Sequence, residues 1–186
     1  MKIPRTYRIY TERCILRCVC KQDIPYVFSA TRVEGFNDGM LWESPQSIEE
    51  LQEPFQKSLQ AWDSGLAYTF TIQLAKTSKF LGRISIRKEQ ADGVWSIGFW
   101  THPEHQGHGY MTEAAKAIID FGFTVLGANC IEACHALWNT GSEKVLKISG
   151  MKFVCYVPHG FLKHGKWVEE NLLAIAREDW KTSQTI

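Results

Sequence analysis

The chain has 186 residues, 45% of them hydrophobic, with 21 Lys and Arg against 20 Asp and Glu for a net charge of +1. That length suits a single domain over residues 1–186, with a core about 11–177, able to bury about two-thirds of its unfolded surface. Balanced charge gives no global field for direct nucleic-acid or anionic-membrane binding, no run approaches about 18 apolar residues, and no hydrophobic segment follows Met1-Lys2-Ile3-Pro4-Arg5, so a cytoplasmic location is expected.

In chain order, Arg13 to Cys20 reads as a strand in which Cys14, Cys18 and Cys20 share parity with Leu16, the pattern of small buried thiols. None of the six cysteines forms a C-x-x-C pair, so no structural metal or redox pair is expected. Asp23 suits the N-cap of a helix that takes Pro25 in its first turn. A second helix starts near Ser44 or Ser47 and places Ile48, Leu51, Phe55 and Leu59 on one face up to Trp62. Tyr68 to Ala75, Leu81 to Lys88 and Val94 to Thr101 read as three consecutive antiparallel strands. Gly98, inside the third, marks a bulge or a close approach by another group.

The next segment, Trp100-Thr101-His102-Pro103-Glu104-His105-Gln106-Gly107-His108-Gly109-Tyr110-Met111-Thr112, joins that strand to a helix running to Leu126. First-turn N–H groups of a helix have no intrahelical partner and sit at the positive end of the dipole, so an anion with several oxygens is the expected guest. Gly107 and Gly109 keep Cβ atoms away from those amides. No Lys-Ser/Thr pair follows Gly109, as a P-loop requires, and Thr112 stands where a dinucleotide fingerprint has its third glycine. His102, His105 and His108 lie three apart, but Pro103 and the glycines break any helix that would stack them; they read as polar loop residues, and no metal is expected.

Cys130 to Leu137 returns as a strand parallel to the one before the loop, a short helix from Thr140 to Ser149 ends at Gly150, and Lys152–Val157 and Trp167–Ala176 are strands separated by a turn-rich 158–165. The tail after Trp180 is polar and expected to fray. The sum is an α/β chain with a mixed, mostly antiparallel twisted sheet of about seven strands and helices on both faces.

Gln106-Gly107-His108-Gly109-Tyr110-Met111 resembles the Q/R-x-x-G-x-G/A pyrophosphate loop of the GCN5-related N-acetyltransferases (GNAT), with Met111 where that pattern has Gly or Ala. Asn139-Thr140-Gly141-Ser142-Glu143-Lys144-Val145-Leu146-Lys147-Ile148-Ser149-Gly150-Met151 is similar to the N-x-x-S-x-x-V-L-x-K-x-G-F/M segment of that family's RimJ/RimL-like branch, the ribosomal-protein N-terminal acetyltransferases. Thr11 to Arg17, with Asp23, also resembles that branch's opening.

The resemblance implies acetyl-CoA as acyl donor, bound by Gln106, Gly107, His108, Gly109, Tyr110, Met111 and Thr112. The pantetheine would enter where the parallel strands splay, beside Phe99, Trp100 and Thr101. Asn139 would hydrogen-bond the pantetheine, and Ser142 would act near the sulfur as acid or donor; each also suits the start of the short helix. Trp42 and Trp100 would line the acceptor pocket, and Glu43, with Glu34 and Asp38 nearby, is the candidate base. The acceptor is expected to be a primary amine, foremost a protein or peptide α-amine attacking directly in a ternary complex. The alternatives are a small amine such as an antibiotic or polyamine, or a domain that senses acyl-CoA without catalysis. A monomer or homodimer is expected.

Overall fold

Residues 2–183 are described by a computed structural model, in which strands β1 (Arg8–Tyr10), β2 (Cys14–Cys18), β3 (Ala67–Leu74), β4 (Phe80–Lys88), β5 (Val94–Thr101), β6 (Cys130–Ala136), β7 (Lys152–Lys163) and β8 (Lys166–Ala176) form one sheet. Their order is β1-β2-β3-β4-β5-β6-β8-β7, and every neighbouring pair is antiparallel except β5 with β6. Eight strands stand where about seven were expected, because β1 is three residues long, too short to show an alternating pattern.

The helices are α1 (Ile24–Ala30), α2 (Gln52–Ser64), α3 (Tyr110–Thr124), α4 (Thr140–Ile148) and α5 (Arg177–Ser183). α2 and α3 cover one face through a ring cluster: Trp62 meets Tyr68 and Phe70 edge-on, and both of those meet Phe121 of α3 in the same way. α3 buries Met111, Ala114, Ala115, Ile118, Ile119, Phe121 and Phe123 at helical spacing. On the opposite face, Tyr26 of α1 stacks on Phe80 of β4 at 5.3 Å. No described helix is long and apolar enough to cross a membrane.

Three boundaries differ from the sequence reading. Residues 48–51 form a single 3-10 turn before α2, and residues 31–47 carry neither helix nor strand. β7 runs through Pro158 and Gly160 to a tight turn at His164 and Gly165, where 158–165 had been read as a turn-rich link. An edge strand tolerates a proline, and the ladder register shifts between Val157 and Phe161 to absorb it. At the other end, Trp180 stacks 5.1 Å from Phe123 and donates to Asp120, and the tail after it, expected to fray, continues as α5 to Ser183, with residues 184–186 outside the described ones.

Gly82 decides how closely β4 and β5 can approach. A Cβ there would lie 2.3 Å from the Trp100 carbonyl oxygen, so only glycine lets the two backbones pair opposite Thr101. Cys14 and Cys18 are buried, and burial pushes both thiols up to about 11, which keeps them protonated and unreactive near neutrality.

Candidate active site

β5 pairs with β4 along its whole length, Trp95 to Thr101 against Lys88 to Gly82. With β6 it pairs only at Val94, Trp95 and Ser96, opposite Cys130, Ile131 and Glu132. Beyond Ser96 the two strands part, and β6, paired with β8 from Cys130 onward, continues to Ala136 with β8 as its remaining partner. The β6-facing edge of residues 97–101 therefore keeps its backbone donors and acceptors free of the sheet, the state in which an extended ligand can add as if it were a strand. Phe99, Trp100 and Thr101 lie on this edge, half-buried.

β5 runs directly into the glycine loop. Gln106, Gly107, His108 and Gly109 are exposed, and both glycines have φ +79°, with Gly109 at the N-cap of α3. That left-handed conformation suits glycine and turns the first amides of α3 outward. A Cβ on Gly107 would meet nothing within 4 Å. Thr112 is half-buried in the first turn, whereas Met111 is buried in the core, so its bulk points away from the loop and only its amide serves the helix end.

Arg13, read in the sequence as the start of a strand, stands beside this loop. Its Nη1 donates to the His108 carbonyl at 3.1 Å, its Nε pairs with Glu113 at 2.8 Å, and its guanidinium lies 4.7 Å over the Tyr110 ring, which stacks in turn on His108. Burial would raise the Glu113 carboxyl, but hydrogen bonds from Thr11 and Arg13 outweigh it and hold it below the usual carboxylate range. Nothing local in the sequence signals this contact, which bridges about a hundred residues.

Across the gap, the Asn139 side-chain oxygen accepts from the Ser142 N–H at 3.0 Å and caps α4. Ser142 is half-buried in the first turn. His135, buried on β6, donates from Nδ1 to the Ala136 carbonyl at 2.9 Å, leaving Nε2 buried without a partner.

On the face carrying α1, a cross-strand row of directly paired residues runs Arg17, Thr71, Arg83 and Trp100 over β2 to β5. The buried Asp23 carboxylate, just before α1, accepts from both terminal nitrogens of Arg17, the Thr71 hydroxyl and the Cys20 N–H. Burial opposes ionisation there, yet these bonds hold its pKa below the usual range. Arg83 differs: burial pulls its pKa down to about 10, and its Nε and Nη2 are buried without a hydrogen-bond partner.

Beside this row, Trp100 and Trp42 come together through Phe36, whose ring lies edge-on to both at 5.3 and 6.2 Å. The wall is held from the far end of the sheet. Lys163 of β7, 6% exposed, donates to the carbonyls of Met40 and Trp42 at 3.1 and 3.0 Å and pairs with Glu43 at 3.0 Å. Glu43 itself is exposed. A cleft of about 510 Å3 next to this clamp is lined by Asp38, Trp138, Lys163, His164, Lys166 and Val168.

His102, Glu104 and His105 bring ligand atoms within 4.8 Å of one another, a grouping able to hold a metal ion. Both ring nitrogens of His102 are already engaged, however: Nδ1 accepts from the Glu104 N–H at 3.3 Å and Nε2 lies 3.1 Å from the Ser29 hydroxyl. Burial pulls this imidazole below its usual range.

The acetyltransferase (GNAT) domain model matches residues 13–152. The chain is 30% identical over 114 residues to YnaD, an uncharacterized N-acetyltransferase of Bacillus subtilis, covering 61% of this chain and 67% of that one. A putative ribosomal-protein-serine acetyltransferase from Vibrio cholerae superposes with a TM-score of 0.81 at 22% identity, over 94% of this chain and 99% of its own. RimL, a ribosomal L7/L12 α-N-protein acetyltransferase solved with coenzyme A, does so with a TM-score of 0.83 at 16% identity, over 91% and 98%. Likeness at these identities establishes the fold. With the domain match over most of its length, the chain belongs to the GNAT acetyltransferase family and is an N-acetyltransferase.

Proposed function

We propose that the protein transfers an acetyl group from acetyl-CoA to a peptide or protein N-terminal α-amine by direct attack in a ternary complex. The observation that carries this reading is the abrupt end of β5–β6 pairing at Ser96, which leaves residues 97–101 free on one edge and leads straight to the glycine loop at the α3 N-terminus. The amides from Gln106 to Thr112 hold the pyrophosphate, with Arg13 adding positive charge beside it. The pantetheine lies along residues 97–101. The Asn139 oxygen is taken by Ser142, so its NH2 is the group left to donate to pantetheine. Backbone N–H groups near Phe99 to Thr101 polarise the thioester carbonyl, and the Ser142 hydroxyl meets the departing sulfur. RimL, solved with coenzyme A, gives the same cosubstrate to a protein of the same fold.

The acceptor follows from proton energetics. At pH 7, deprotonating a lysine side chain costs about 4.6 kcal/mol, against about 1 kcal/mol for an α-amine, at about 1.36 kcal/mol per pKa unit. Glu43, the candidate base, is exposed and already paired with Lys163. A site arranged this way suits the amine that needs little help. Incubation with acetyl-CoA and free or Nα-blocked, lysine-containing peptides, polyamines and aminoglycosides, read as thiol release, tests the assignment. Free N-terminal peptides should react fastest at pH 7, with the preference shrinking toward the lysine pKa. Faster reaction of the blocked lysine peptide at pH 7 would replace this reading, and Glu43→Gln would then be the first variant to make.

A further inference from the structure

Arg83 is a half-buried cation whose Nε and Nη2 are fully enclosed, and neither the core nor the cosubstrate site uses it. Among the described residues no carboxylate hydrogen-bonds it, although the charge of Asp23 is felt there. The carboxylate beneath α1, Asp23, already accepts four hydrogen bonds, three on Oδ2 and one on Oδ1, and two of the four come from Arg17. Two guanidinium groups therefore share one anion.

The unmatched atoms are specific. Nε and Nη2 lie on the same edge of the guanidinium, the edge that presents two parallel N–H groups to a carboxylate. The same chain shows that fork occupied elsewhere: Arg5 donates from Nε and Nη2 to the two oxygens of Asp63, at 2.9 and 2.5 Å. In Arg83 the fork is empty, and a buried donor pair left unmatched is costly to the fold.

Its place on the sheet sets which groups lie beside it. Arg83 is directly paired with Trp100 and shares its face, and one step along the same strands Ser85 is half-buried and Gly98 exposed, so the sheet opens there instead of lying under α1. Trp100 continues through Phe36 and Trp42 to the Lys163 clamp, where Glu43 already pairs with Lys163, beside a cleft that also carries Lys166 and Asp38.

We propose that Arg83 receives a carboxylate of the acceptor, carried close to the reactive amine, so that the preferred substrates are amines with an acidic group within a residue of the attacking nitrogen. This rests on the reading that the acceptor enters beside Trp100. The carboxylate belongs either to an acidic side chain at the first or second residue of a peptide or to the α-carboxylate of a free amino acid.

Peptides differing only by Asp against Asn at the second position, and free amino acids against their amides, separate these sources. For the wild-type enzyme the matching acid should lower KM about tenfold or more relative to its amide, with little change in kcat. Arg83→Met should abolish that discrimination and Arg83→Lys retain part of it. Without turnover, the Nα-acetylated Asp and Asn peptides and N-acetyl amino acids, titrated calorimetrically into the CoA-loaded protein, read the same preference. Failure of acetyl transfer with a surviving acid preference would therefore count against the proposed function and for Arg83. A folded wild-type protein that binds acid and amide forms equally, or a folded Arg83→Met variant that keeps the wild-type discrimination, would overturn the inference.

Discussion

The two edges of β5 do opposite jobs. Its β4 edge is paired at seven positions, from Trp95 to Thr101, and its β6 edge at three, all before Ile97. One strand is thus scaffold where both edges are taken and, on the proposed reading, a template where one is left free. Trp95 and Ile97 are buried against the α3 side, and Gly98 is exposed. Stability and ligand binding should then separate along eight residues of sequence.

Breaking the scaffold has the largest expected effect. Trp95 is 7% exposed and stacks near Tyr68, so Trp95→Ala should cost about 3–5 kcal/mol in denaturant unfolding, with the CoA affinity of the folded fraction unchanged. Lost affinity without lost stability would show that the closed end of β5 belongs to the site.

Asp23 tests the closed part of the sheet through its charge. Asp23→Asn leaves Arg17 without its anion and should cost about 3 kcal/mol at pH 7. The carboxyl pKa is lower in the folded state than in the unfolded chain, so this stability is full above the ordinary carboxylate range and is lost as pH falls through the folded value. Melting temperatures of wild type and variant should therefore converge in acid and separate toward neutrality; a constant gap down to pH 2 would mean Asp23 acts by packing alone.

The open side should respond in binding and turnover. Gly109→Glu adds a Cβ at φ +79° and a negative charge beside the expected phosphates, and should weaken CoA binding more than about tenfold, or about 1.4 kcal/mol, by calorimetry. Smaller still, Ser142→Ala should lower kcat several-fold while leaving the dissociation constant for CoA near wild type. Wild-type kcat would leave Ser142 only its place in the first turn of α4.

Much of this division could be read from the sequence because it rests on local signals. The alternation in β2 to β5, the helical spacing of α3 and the glycines of the loop all act within a few residues. The β7–β8 hairpin departs from the sequence reading for a related reason: Pro158 and Gly160 break strands in general, and only their place at the sheet edge, with a register shift, makes them harmless. The contacts of Arg13 with Glu113 and of Lys163 with Met40 span about 100 and 123 residues, and no periodicity records them. Arg83 is the hardest case. Between Leu81 and Ile84 it looks like an ordinary solvent-facing strand position, and its significance lies in Asp23 being already paired with Arg17.

The Lys163 clamp bears on how tightly the acceptor is held. Residues 31–47 include the Phe36 and Trp42 wall but have no ladder or helix to fix them, and ordering a backbone costs about 1–2 kcal/mol per residue. With its ammonium shared among two carbonyls and Glu43, one side chain at the end of a long hairpin joins Asn37, which also donates to the Trp42 carbonyl, in holding that wall in shape before any acceptor arrives. The conformational entropy is then surrendered during folding, and binding starts from a preorganised surface. If the acceptor enters beside Trp100 as proposed, its selectivity depends in part on a residue about 120 positions away in the chain, and loosening the hairpin tip should blunt discrimination among acceptors while leaving the coenzyme loop intact.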